Sequence, residues 1–329
     1  MKKIYLLSDS FDYTKMICAD AGPDYANNML WSKDYLKNIS QYQEYINIID
    51  TRISYSECEQ LKQYIRNHKN TIFLLTVTDP YREHLYKWKD SYYQFLFDLK
   101  NRENVFYLSK YLPTELVKEI DQSTNYKKVI FIPYPFVDHY QINQLFSQRE
   151  RKILLSGAME TKLYPYRYKF WEATLSNHLI SRLWYRPTPF IRKHIHLLNH
   201  PDYPDIGAEL RHDIIGEKYI NYLSQFMFMF ISPTRCSIEL LKYSECAYAK
   251  CVPVGKTPDS FSSAIKEPFL EIDFQSIGKS VERILSIPLD ELSERSDKYY
   301  QALQSERNPQ LLNDKLDSFL DKTSFLNKI

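Results

Sequence analysis

FISPTRCSIELLKYSECAYAKCVPVG, residues 230–255, decides the fold. It closes an apolar run, Phe226–Ser232, that does not alternate and therefore reads as a strand buried on both faces. Ser232-Pro233-Thr234-Arg235 ends that run with turn-forming and polar residues. Ile238–Ala249 has the length and residue types of a helix, and Cys251–Val254 returns to a short apolar strand. A strand, a helix and a second strand in this order make a βαβ unit, with parallel strands and a helix covering one face.

The same alternation extends outward in both directions. Before it come strand candidates Lys3–Ser8, Tyr45–Asp50, Thr71–Val77, Asn104–Leu108 and Lys128–Ile132, separated by helical patterns at Ser56–His68, Tyr86–Leu99 and Pro113–Gln122. Pro133-Tyr134-Pro135 then stiffens an extended segment. The pattern restarts with strand Lys152–Ser156, helix Tyr166–Asn177, strand Leu179–Tyr185, an irregular excursion over 186–215 and helix Glu217–Ser224. Beyond residue 255, Pro268–Phe274 reads as a strand, and the chain is helical from Ser276 on, with breaks at Pro288 and Asn308-Pro309. The expected class is α/β: two Rossmann-like domains facing a cleft, residues 1–140 and 141–308, with a helix at 309–329 packing back on the first. Ligands of open α/β sheets lie at the carboxyl ends of the strands, so two such edges face to face suit a two-substrate site.

Composition removes several alternatives. The chain has 329 residues and only six glycines, which spell neither G-x-G-x-x-G nor a P-loop. With 44% hydrophobic and 15% aromatic residues it has ample material for a core, which argues against disorder. A formal net charge of +2 weighs against a nucleic-acid partner. Five cysteines without C-x-x-C point to a reduced, cytoplasmic chain. The most apolar stretch, Phe226–Ile231, is far too short for a transmembrane segment, and only a peripheral membrane contact stays open. His194, His196 and His200 lack a cysteine or Glu-x-x-His to complete a metal site, so no metal is expected.

The polar residues of the decisive stretch suit a phosphate-bearing ligand. Ser237 reads as an N-cap, and an anion at that helix start would meet free N–H groups and the positive end of the dipole. Thr234 and Arg235 add a hydroxyl and a guanidinium. Lys242 and Glu245, three apart, share a helix face. The lysine suits a diphosphate, and the carboxylate suits the two hydroxyls of a ribose. Leu154-Leu155-Ser156-Gly157-Ala158 and Tyr164-Pro165-Tyr166-Arg167 form a second patch, in which Ser156 and Gly157 let backbone approach a phosphate and Pro165 opens a helix.

These two patches resemble the donor-binding half of a GT-B glycosyltransferase, of the group 1 type with a spore-maturation-protein-like C-terminal domain. The likeness covers roughly residues 150–275. It rests on Ser232–Arg235, Lys242, Glu245, Cys251–Val254 and the Ser156-Gly157 and Tyr-Pro-x-Arg patches. It implies metal-independent transfer of a sugar from a nucleotide diphosphate sugar, a co-substrate rather than a cofactor. The acceptor, a glycan, a lipid-linked molecule or another compound, would sit on the N-terminal half. Two positions depart from the family pattern: Ser237 stands where retaining members often carry the first carboxylate of Glu-x7-Glu, and Lys250 replaces a glycine before the Val-Pro-Val strand. Inverting fucosyltransferases share the strand–helix–strand pattern, but their Thr-Glu-Lys is absent here. An inverting course needs a base from the N-terminal half, for which Asp9, Asp79 and His139 are the candidates. A nucleic-acid-modifying transferase and a non-catalytic nucleotide- or glycan-binding protein are the remaining alternatives.

Overall fold

The computed structural model describes residues 3–6, 30–32, 39–49, 55–77, 87–110, 115–123, 126–136, 140–157, 161, 164–176, 183–187, 216–235 and 237–322. Two sheets carry the architecture, and every strand pair in both is parallel. The first contains β1 (Lys3–Leu6), β2 (Leu30–Ser32), β3 (Ile46–Ile49), β4 (Phe73–Val77), β5 (Val105–Ser109) and β6 (Val129–Phe131), in the spatial order β2-β1-β3-β4-β5-β6. Helices α1 (Tyr55–Asn67), α2 (Lys87–Leu99) and α3 (Glu115–Ile120) make its crossovers.

Continuous apolar strands arise because this sheet is covered twice. Phe73, Leu75 and Val77 of β4 join Leu61, Ile65, Leu96 and Leu99 in one cluster. Ile72 and Leu74, one residue out of phase, join Ile46, Ile48, Phe106 and Leu108 in another. The cover over this second face comes from the far end of the sequence. Helix α10 (Pro309–Asp321) supplies Leu312, Leu316 and Leu320, spaced one turn apart. Asn308 caps it by accepting from the Gln310 and Leu311 N–H groups, with Pro309 in its first turn. Lys3 fastens it to the first strand, at 2.8 Å from Asn313 Oδ1 and 2.6 Å from Asp317 Oδ1. Leu316→Ala leaves a cavity under this helix and is expected to destabilise the chain by about 2–5 kcal/mol; thermal and denaturant melting measure it.

The second sheet contains β7 (Glu150–Gly157), β8 (Leu183–Pro187), β9 (Phe226–Ile231), β10 (Val252–Gly255) and β11 (Leu270–Glu271), in the order β11-β10-β9-β7-β8. Its strands are joined or flanked by α4 (Pro165–Ser176), α5 (Gly216–Leu223), α6 (Lys242–Tyr248), α7 (Ser263–Lys266), α8 (Ile277–Ser286) and α9 (Leu289–Glu306). Period-two alternation divides the core here as well. Leu154, Met229 and Ile231 pack with Tyr243, Tyr248, Tyr299 and Leu303. On the opposite face, Ile153, Leu155, Phe228, Phe230 and Val254 pack against Phe170, Val281 and Ile284.

The two sheets and the doubly covered parallel strands match the α/β class expected from the sequence. Some local readings change. Strand β2, which the sequence pattern does not signal, pairs along Leu30–Ser32 with β1. The strand expected over Pro268–Phe274 shrinks to two residues at the sheet edge. The helix expected from Ile238 begins only at Lys242. The histidines at 194, 196 and 200 lie outside the described residues.

Candidate functional site

β7 and β9 are neighbours, with Leu154 opposite Met229, so their carboxyl ends open side by side. β7 ends in Ser156 and Gly157, and Gly157 has φ +104°. A side chain at that position would place its Cβ 2.9 Å from Arg167 Nη1 and 3.1 Å from Lys242 Cε. The glycine therefore has two roles: it adopts a backbone conformation that other residues rarely take, and it leaves room for two cations to converge.

Arg167 enters from the first turn of α4. It is 2% exposed, and its guanidinium carbon lies 4.4 Å from the Tyr164 ring centroid. Burial pushes its pKa down, yet a guanidinium stays protonated. Lys242 is the first residue of α6, which begins without a side-chain cap. Its ammonium donates to Tyr219 Oη at 3.0 Å and to Ser156 Oγ at 3.3 Å. Burial works against that charge, but the neighbouring Tyr219 and Glu245 outweigh it and hold the Lys242 pKa above its ordinary value.

Glu245 lies one turn along the same helix, 4% exposed, with Oε2 at 3.6 Å from Lys242 Nζ. That separation is an ion-pair distance but not a hydrogen bond, and among the described residues Oε2 accepts none. A buried carboxylate oxygen with unused acceptor capacity is uncommon and calls for a donor. The cluster thus offers two convergent cations, a hydroxyl and one acceptor-only carboxylate, the chemistry that suits an anion with a neighbouring diol.

Five residues singled out in the sequence therefore come together: Ser156, Gly157, Arg167, Lys242 and Glu245. Thr234 is buried and Arg235 exposed, both on the turn after β9. Ser237 is not the helix cap. It has φ +60°, its N–H donates to Thr234 O at 3.0 Å, and its Oγ accepts from the Asp259 N–H at 3.1 Å. The reason lies two residues on, where Glu239 is drawn into a buried bidentate pair with Arg307, at 2.6 and 2.9 Å. That pair holds the segment outside the helix. Asp9, Asp79 and His139 lie outside the described residues.

Tyr219 is a residue that sequence reasoning misses. One of 28 tyrosines, it lies on α5 and is 6% exposed; only its place on the helix preceding β9 hints at it. Its hydroxyl orients the Lys242 ammonium. Tyr219→Phe keeps the ring and removes that oxygen, and is expected to weaken the binding of an anion beside Lys242 about tenfold, as befits a hydrogen bond to a charged group, with little change in melting temperature. Calorimetric titration and a thermal melt check both halves.

Among the described residues, no helix is long and apolar enough to cross a membrane, and no group of three or more His, Cys, Asp or Glu side chains is placed to hold a metal ion.

No family model matches the sequence, and no curated protein matches it. Solved structures do match in fold. The Anabaena protein HepE, solved with UDP and glucose, superposes with a TM-score of 0.58 at 9% identity, covering 98% of this chain and 100% of that one. A UDP-forming α,α-trehalose-phosphate synthase from Burkholderia xenovorans gives 0.55 at 14% identity, over 88% and 77% of the two chains. TarM of S. aureus, solved with fondaparinux, α-GlcNAc-glycerol and UDP, gives 0.53 at 13% identity, over 83% and 55%. The two-sheet architecture is the GT-B fold of glycosyltransferases.

Proposed function

We propose that this chain transfers a sugar from a nucleotide diphosphate sugar to an acceptor hydroxyl. The observation that carries the reading is the convergence of Lys242 and Arg167 on Gly157, with Glu245 beside Lys242, at the carboxyl ends of β7 and β9. Lys242 and Arg167 neutralise the diphosphate, with Thr234 and Arg235 on the adjoining turn as further contacts. Glu245 accepts from the ribose hydroxyls. In the reaction the bond from the anomeric carbon to the diphosphate oxygen breaks, and a bond to the acceptor oxygen forms. The acceptor proton passes to the leaving diphosphate in a retaining course, or to a base among Asp9, Asp79 and His139 in an inverting one. The cations act mainly on the charge that develops on the leaving group, a preorganised electrostatic effect, and the chemistry is proposed to need no metal.

The UDP named in the HepE, TarM and trehalose-phosphate synthase structures supports a nucleotide donor. The spore-maturation-like character of the donor half is supported by Lys242, Glu245 and the Val252–Val254 strand. Residues 141–308 form the donor domain and residues 1–140 the acceptor domain, with 309–329 returning to the latter. The acceptor is a glycan, a lipid-linked molecule or a related hydroxyl compound, so the chain works in the cytoplasm or at the membrane surface.

One observation favours a second reading. Ser237, at the first position of the Glu-x7-Glu spacing, offers no carboxylate and has a left-handed backbone, as a binding protein without catalysis would allow. Incubating the chain with a panel of nucleotide sugars decides between the two. Release of nucleoside diphosphate, even slowly and without acceptor, supports the transferase. Tight binding with no turnover on any donor or acceptor supports the binding protein.

A further inference from the structure

The chain leaves the first sheet through Phe136 and returns to it through Arg307-Asn308-Pro309, and the two passages are bonded to each other: the Phe136 N–H donates to Arg307 O at 2.8 Å. Arg307 is 4% exposed, and its guanidinium forms two hydrogen bonds with Glu239, itself 3% exposed. Glu239 belongs to the segment between β9 and α6, which carries Thr234 and leads into Lys242. Phe136 also stacks on Tyr248, the last residue of α6, at 4.6 Å and 23°, and meets Tyr300 edge-on at 5.3 Å. The crossing thus grips the donor-side segment and α6 from two directions.

Breaking a buried pair is strongly unfavourable, because the surviving charge has neither water nor a partner. The Glu239–Arg307 pair therefore behaves as a rigid link, not as a surface ion pair. A change in the path of residues 232–241 must move Arg307, and with it the point where α9 gives way to α10, the helix that covers the first sheet.

Building on the donor-site reading, we propose that Glu239 and Arg307 are positioning residues that couple donor binding to the crossing between the two sheets. Neither needs to touch the ligand. A bound diphosphate fixes the turn after β9, and Glu239 transmits that ordering to Arg307 and Phe136.

The test uses the full chain, with UDP, GDP, CDP and dTDP tried in turn by calorimetry. Glu239→Gln and Arg307→Met are expected to raise the Kd of the nucleotide that binds at least tenfold, and Arg307→Lys to give an intermediate value. Leu316→Ala, which loses stability on the other sheet, should leave that Kd unchanged and so separates positioning from general destabilisation. Should the pair variants fail to fold, hydrogen exchange on the wild-type chain is sufficient: the bound nucleotide should slow exchange at the Phe136 and Arg307 amides as well as over residues 232–241. An unaltered Kd in folded pair variants overturns the coupling while leaving the donor site in place. Protection that stops at residue 241 does the same. Failure of all four nucleotides to bind the wild-type chain overturns the donor reading and the coupling together.

Discussion

Glu245→Ala is expected to remove most of the thermal stabilisation that the proposed ligand, a nucleoside diphosphate, gives the wild-type chain. Among the described residues no group uses the acceptor capacity of the buried Oε2, and the ribose diol of the proposed donor would supply the missing hydrogen-bond donors. A hydrogen bond to a charged group contributes about 1.5–3 kcal/mol, so losing both contacts weakens binding roughly a hundredfold or more. At a ligand concentration near 100 times the wild-type Kd, the ligand stabilises the fold by about 2.7 kcal/mol, and a hundredfold weaker Kd leaves about 0.4 kcal/mol. Differential scanning fluorimetry at one fixed ligand concentration resolves that difference. Glu245→Gln keeps the shape and an acceptor oxygen, so it should fall between the two. A melting shift preserved in the alanine variant would remove the ribose assignment and leave Lys242 and Arg167 as a simple anion site.

Gly255→Ala is expected to prevent stable folding. At φ +134° the added Cβ would lie 2.1 Å from Ile231 O and 3.2 Å from a Phe230 ring carbon. Neither can yield: Ile231 O accepts from the Lys256 N–H at 3.0 Å, and Phe230 is stacked on Phe170 at 4.1 Å in the core. Gly255 O also receives the Ile272 N–H at 2.8 Å. Relieving the clash means separating β9 from β10 at the edge of the proposed donor site, a loss of about 4 kcal/mol or more. Gly278→Ala, inside α8, makes the contrast, because alanine favours a helix over glycine by up to about 1 kcal/mol. Soluble yield and melting temperature of the two variants should move in opposite directions. A Gly255→Ala chain that melts like the wild type would mean that β10 can shift in register without harm.

The parallel sheets are legible because burial on both faces leaves a direct trace in sequence, as in Phe73–Val77 and Phe226–Ile231. The meeting of Ser156, Gly157, Lys242 and Glu245 is legible for a related reason: Ser156 and Gly157 end one readable strand, Lys242 and Glu245 share a face of the helix that follows the neighbouring strand, and strand ends of a parallel sheet share one edge. What escapes a sequence reading is set by distant partners. The start of α6 falls four residues later than its pattern suggests because Glu239 answers to Arg307, 68 positions away, and no local periodicity records such a bond. Ser237 has the chemistry of a cap, but its neighbourhood is fixed by that same pair. Tyr219 is hidden by abundance, since in a chain with 28 tyrosines a single hydroxyl aimed at a lysine has no signature. Strand β2, three residues long, has too little pattern to register.

The helix that seals the first sheet is made late. On a ribosome, the strands of that sheet emerge about 180 residues before Leu312, Leu316 and Leu320 arrive to cover Ile48, Leu74 and Leu108. At roughly 5–20 residues per second that interval is on the order of 10–40 s. Throughout it the apolar face built by Ile48, Leu74 and Leu108 lacks the three leucines that pack on it in the finished fold. Such a face attracts chaperones and other nascent chains alike, so the yield of this protein in cells should respond to ribosome-bound holdases and to translation speed more than its final stability would suggest.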